Sequence, residues 1–173
     1  MDIKEANKQL TEVYKELQPI VDSVVDKQSK DIDKIIERIK RNIDTLTNKE
    51  LQDLMLQLSI EAYYFAHIKD MAILKQELSL ALSKESHANS FNSTVGTQAI
   101  RNNQAIIDSI DKQTVNILYN AVANNMKSKL DEVHRMINVL SNVLISKNAE
   151  AKLKVSKDDY EPKNLYNLLL GTL

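Results

Sequence analysis

The chain has 173 residues, a formal net charge of −1, two glycines, two prolines and no cysteine. Near-neutrality excludes a global field drawing it to nucleic acid or membrane, so any such binding needs a local patch. Average chains hold about 7% Gly and 5% Pro, so the turn punctuation of a β-rich or α/β fold is missing and the chain reads as almost all helix. Without cysteine there is neither disulfide nor thiolate chemistry, which fits a reducing cytoplasm. The N-terminus MDIKEANKQL alternates charged and apolar residues, unlike a signal peptide. No apolar run approaches the ~20 residues of a membrane span.

In chain order, Ile3, Ala6, Leu10, Val13 and Leu17 predict a first amphipathic helix over 2–17. Pro19 is expected to end it, because the residue before a proline is pushed from the α region. A second helix is expected over 20–44, with Val21, Val24, Val25, Ile32, Ile35, Ile36, Ile39 and Ile43 as its stripe and a gap at Gln28. Thr47-Asn-Lys-Glu50 has capping-box spacing, so a third helix starts at Asn48. Its apolar series runs Leu51, Leu54, Met55, Leu58, Ala62, Phe65, Ala66, Met71, Ile73, Leu74, Leu78, Leu82, and it is expected to end near Glu85. The Ser/Asn/Gly-rich stretch from His87 to Gly96 reads as the hinge of a helical hairpin.

A fourth helix, capped by Thr94 or Thr97, follows to about residue 150. Leu118, Val122, Met126, Leu130, Val133, Ile137, Leu140 and Leu144 form its seam in steps of three and four, and Ala99, Ile106, Ile110, Ile117 and Ala121 are expected to continue that seam upstream. Such a helix is roughly 75 Å long at 1.5 Å per residue, and it needs partners to bury its stripe. Pro162 opens a short predicted helix, PKNLYNLLL, with Leu165, Leu168 and Leu169 as a docking tail. The expected fold is therefore all-α: a long antiparallel helical hairpin with additional N-terminal helices, assembled as a helical-bundle oligomer. The expected units are an N-terminal helical arm (1–46), the hairpin body (47–151) and a C-terminal tail (152–173).

Catalytic signatures are missing. With Gly only at 96 and 171 there is no phosphate loop, and His67, His87 and His134 form no metal pair. His67 and Asp70 sit one turn apart, which a helix-surface pair explains. Asp158, Asp159 and Glu161 lack the alternating spacing of a calcium loop. No enzyme, cofactor or metal is expected.

Two basic features remain. Lys27, Lys30, Lys34, Arg38 and Arg41 make one helical stripe, but Asp26, Asp33 and Glu37 are interleaved, so it reads either as a phosphate track or as a solvated, self-paired face. Lys127, Lys129 and Arg135 cluster with His134 after NILYNAVANN, where Asn116, Asn120 and Asn124 share a face. Lys127, Lys129 and Arg135 form the first candidate nucleic-acid patch; Lys34, Arg38 and Arg41 form the second. Tyr63, Tyr64 and Tyr119 are candidate stacking surfaces or core residues.

The order of parts resembles a known family. A Tyr-containing helix, AYYFAHIKDMAILKQELSLALSKE, leads through a polar linker and a Thr-Val-Gly start into VNILYNAVANNMKSKLDEVHRMINVLSN, where Met126-Lys-Ser-Lys129 matches an Ile-Lys-Ser-Arg element. Over about 60–145 this is similar to the phage recombination mediators of UvsY type. The first-arm basic cluster is thin here, reduced to Lys69, Lys75 and Lys84, and neither 1–47 nor the C-terminal tail has a counterpart. The resemblance implies a small homo-oligomer in the bacterial host cytoplasm. It would bind single-stranded DNA and help load a recombinase onto DNA covered by single-strand-binding protein. Two other non-enzymatic readings stay open: a phage-encoded inhibitor or adaptor gripping a host protein, and a virion or assembly component.

Overall fold

The computed structural model describes residues 3–158, with side chains for 11, 12 and 15–153. The fold is all-α: α1 spans Ile3–Asn42, α2 Asn48–Ser93 and α3 Gln98–Asp158. The predicted helix at Pro162 and its leucines lie outside the described residues.

The sequence predicts a break at Pro19, but α1 runs through it. Proline removes one backbone donor, and the Lys15 carbonyl four residues earlier loses its helical partner. Lys15, Gln18, Pro19 and Ile20 are all exposed, so water reaches that carbonyl. The Gln18 amide also donates to Asp22 Oδ1 at 2.7 Å, spanning the proline with a side-chain bond. Downstream, Val21, Val25, Ile32, Ile36 and Ile39 are buried, and Ser29 fills the place between Val25 and Ile32. Gln28, the gap in the predicted stripe, points to solvent without interrupting the helix.

The corner between α1 and α2 is built by the predicted capping box. Thr47 N–H donates to Glu50 Oε2 at 2.9 Å, and Glu50 N–H donates to Thr47 Oγ1 at 3.3 Å. Lys147 of α3 reaches across to the carbonyls of Asp44 (3.1 Å) and Leu46 (2.6 Å), satisfying acceptors that no helix uses. Thr47→Ala is expected to cost about 1 kcal/mol and Thr47→Ser to restore most of it, as read from the urea midpoint.

Asn48 bonds Asn148, Asn116 bonds the Gln76 carbonyl, and Ser90 bonds Asp108. These contacts fix α2 and α3 as antiparallel neighbours, and they fix the register. Around Leu51, Leu54, Leu58 and Phe65, α1 adds a third layer, and these residues form one core with Met126, Val133 and Leu140. Toward the α2–α3 turn the seam changes character. Ala72, Ser79, Ser83 and Ser90 are buried on α2, Ala105 and Ser109 on α3. The expected continuation through Ile106 and Ile110 is not observed, since these are 44% and 53% exposed. The small residues at 105 and 109 face the partner helix instead, because a close two-helix seam selects for size as well as apolarity. Among these serines, Ser90 Oγ donates to Asp108 Oδ2 at 2.6 Å, and Ser109 Oγ donates to the Ile106 carbonyl at 3.0 Å and accepts from Gln113 at 3.0 Å.

The rotation that aims serines inward turns Met71, Leu74, Leu78 and Leu82 outward, at 43–58% exposure, against their predicted place in the core. The predicted hinge also shortens. Helix α2 continues through the Ser/Asn tract to Ser93, and Thr94 Oγ1 closes it on the Ser90 carbonyl at 2.7 Å. Tertiary pairing with α3 overrides the modest helix propensity of Ser and Asn. Only 94–97 turn the chain. Gly96 takes φ +140, where any Cβ would also come within 3.3 Å of Ile100. Of the two candidate caps, Thr97 opens α3: Arg101 N–H donates to its carbonyl at 3.0 Å and Ile100 N–H approaches its Oγ1 at 3.5 Å.

Candidate nucleic-acid interface

The three cations of the first candidate patch separate by helical geometry. Lys129 and Glu132, three apart on α3, lie on the flank that faces α1. Lys129 Nζ lies 2.5 Å from Asp33 Oδ1 of α1 and 2.8 Å from Glu132 Oε2, with only 19% of its side chain exposed. Lys40 of α1 approaches Glu132 from the other side at 3.6 Å. Burial alone pulls the Lys129 ammonium down. Its hydrogen bonds to Asp33 and Glu132, with their charges, outweigh burial and hold it above its ordinary range. The bond from Lys129 holds the Glu132 carboxyl low. Lys129 is thus a tie between α1 and α3, already holding two carboxylates, and it does not line an open groove.

Lys127 and Arg135 are both exposed, turned about 160° and about 120° around α3 from Lys129 and about 80° from each other. Among the described residues neither makes an ion pair or a side-chain hydrogen bond. His134 shares their side of α3 and is exposed, as are Asn120 and Asn124, whose amides approach each other at 3.4 Å. The register set by Asn48–Asn148 and Gln76–Asn116 brings Tyr63 of α2 level with the turn of α3 between Lys127 and Arg135. Tyr63 is 74% exposed and meets Tyr64 edge-on, ring centroids 5.8 Å apart. Tyr119 is not free to stack: it is half-buried, with Lys75 Nζ 5.4 Å from its ring centroid.

On α1, Lys34 pairs with Asp31 at 2.6 Å and Arg41 with Glu37 at 3.0 Å, all exposed. The bond from Lys34 holds the Asp31 carboxyl below its ordinary range. Arg38 is exposed between these pairs, and among the described residues it is the member of this candidate patch without a carboxylate ion pair. Since α1 packs on the Lys129 flank of α3, the structure does not bring the two basic groups onto one surface. Asp70 pairs with Lys69 at 3.0 Å, not with His67. No described cluster of His, Asp and Glu has the makings of a metal site, and no described helix is long and apolar enough to cross a membrane.

Two features escaped sequence reasoning. Arg101 lies over the Phe91 ring at 5.0 Å near the α2–α3 turn, a pair ten residues apart across a turn whose position the sequence misplaced. The outward apolar stripe of α2 was hidden because the same residues read as core. No protein-family model, curated protein or solved structure matches the chain.

Proposed function

We propose that this protein is a non-enzymatic, phage-type recombination accessory that binds single-stranded DNA and assists recombinase loading. Its long antiparallel hairpin would serve as the body of a homo-oligomer. The observation that carries the reading is the flank of α3 turned away from α1. Among the described residues Lys127 and Arg135 have no ion-pair partner there, and an exposed tyrosine lies level with them on α2. Cations neutralise phosphates, and an aromatic face stacks on a base whatever its identity. A strand held this way is read with little sequence preference, because phosphate contacts carry no base information. Each copy offers few charges, so useful affinity comes from several copies on one strand. The resemblance of 60–145 to the UvsY-type mediators agrees with this chemistry and supplies the recombinase and single-strand-binding protein as partners. The bacterial host cytoplasm is the compartment in which they meet.

Fluorescence anisotropy with labelled single-stranded and duplex oligonucleotides tests the reading. Single strands are expected to bind more tightly. Lys127→Ala with Arg135→Ala should weaken that binding at least tenfold, and Lys34→Ala with Arg38→Ala and Arg41→Ala should leave it nearly unchanged. A wild-type protein that binds neither oligonucleotide removes the DNA reading. The second reading, a helical adaptor or inhibitor that grips another protein, would then take first place. The outward apolar stripe of α2 would favour it if no second copy covers that stripe.

A further inference from the structure

Helix α2 carries a second seam. Ile60, Tyr64, His67, Met71, Leu74 and Leu78 recur in steps of four and three on the side opposite the α3-facing seam. All are exposed; the five large apolar or aromatic members range from 43% to 61%. Neither α1 nor α3 covers this stripe, although its spacing is that of a coiled-coil interface. The accessible surface points the same way. It is 12905 Å², against roughly 8,600 Å² for a compact monomer of this mass. The surplus, roughly 4,000 Å² on each chain, is that of an extended rod, and pairing two copies along this stripe would remove part of it.

We propose that the stripe pairs with the same stripe of a second copy, α2 antiparallel to α2 about a two-fold axis between His67 and Met71. One register places each large member against another: Ile60 on Leu78 of the second copy, Tyr64 on Leu74, His67 on Met71, each layer occurring twice. A shift by one heptad leaves Ile60 facing Glu85. In the chosen register Glu61 and Lys75 of the two copies flank the seam on one side as opposite charges, twice over. On the other side the two Asp70 carboxylates approach each other, each already paired with its own Lys69. The isologous contact is closed, so it gives a dimer and not a filament. A net charge of −1 adds little long-range repulsion between copies. The interface leaves Lys127 and Arg135 on α3 uncovered; Tyr63, which meets the seam residue Tyr64 edge-on, flanks the interface on the Asp70 side and is the one residue the two readings share.

The chain has no cysteine, so single spin labels can be placed without background. In Asp70→Cys the two labels of a dimer should lie within about 20 Å, given helix axes 8–10 Å apart plus the linkers. In Asp53→Cys they should lie roughly 50 Å apart, from the 1.5 Å rise over the residues separating position 53 from its copy. Light scattering should give twice 19.7 kDa, and Leu74→Glu with Leu78→Glu should reduce it to the single-chain mass with helicity kept. A wild-type monomer at micromolar concentration overturns the proposal. So do short distances at both positions, which would mean parallel helices, or a long distance at position 70. Loss of DNA binding in Lys127→Ala/Arg135→Ala with the two distances unchanged leaves the interface standing. Unchanged DNA binding in a protein that proves monomeric removes the interface alone.

Discussion

Phe65→Ala is expected to destabilise the fold by about 3–5 kcal/mol, the range for emptying a buried aromatic site. Phe65 is 2% exposed and belongs to the core shared by all three helices. It is also the last large fully buried side chain of α2 before the buried positions turn to Ala72, Ser79 and Ser83. The serine-rich half has little apolar surface with which to compensate, so the loss should be felt across the whole chain. Urea denaturation followed at 222 nm measures it. Leu80→Ala, at a position 42% exposed, serves as the control and should change stability by less than about 0.5 kcal/mol. A Phe65→Ala loss under 1 kcal/mol would mean that α1 does not pack where the structure places it.

Lys129→Met is expected to cost about 1–2 kcal/mol. The value lies between the ~0–1 kcal/mol of exposed ion pairs and the 3–5 kcal/mol lost on breaking a fully buried one, because the Asp33 and Glu132 side chains keep 43% and 34% exposure. Methionine keeps the bulk of the stem but strands two carboxylates beside each other. The pH dependence follows from the directions of the shifts. The folded Glu132 carboxyl is depressed, so its share is present above the ordinary value of 4.5 and disappears as pH falls through the folded value. The folded Lys129 ammonium is raised, so its share is present below 10.5 and disappears as pH rises through the folded value. The gap between wild type and Lys129→Met should therefore be flat from about pH 5 to 10 and shrink at either end. A gap that grows on acidification contradicts the assigned pairing.

The all-helical class was legible because two glycines and two prolines leave few ways to end a helix. The capping box was legible because Thr47 and Glu50 stand three apart at a helix start. The apolar core near α1 was equally clear, since Val122, Met126, Leu130 and Val133 keep one period with no competing face. The distal half was not legible. There, Ser79, Ser83, Ala105 and Ser109 occupy the seam while Leu74, Leu78, Ile106 and Ile110 lie outside it. A pattern that scores apolarity therefore picks the wrong side of both helices. Pro19 misled for a different reason: its cost falls on a solvated carbonyl, where the helix can bear it. For the candidate site, spacing grouped Lys127, Lys129 and Arg135, but spacing carries no account of α1. Asp33 lies far away in sequence, and only the packed helices reveal that it holds Lys129.

That division of labour is the centre of the account: Lys129 fastens helices, whereas Lys127 and Arg135 are the residues proposed to hold phosphate. The most direct test is the slope of log affinity for single-stranded DNA against log salt, measured for wild type, Lys127→Ala/Arg135→Ala and Lys129→Met. Each neutralised phosphate contributes about −0.7 on single strands. The double variant should therefore lose about 1.4 of slope per copy, while Lys129→Met should keep the wild-type slope at a temperature where it remains folded. A slope that is unchanged in the double variant but reduced in Lys129→Met would contradict the account.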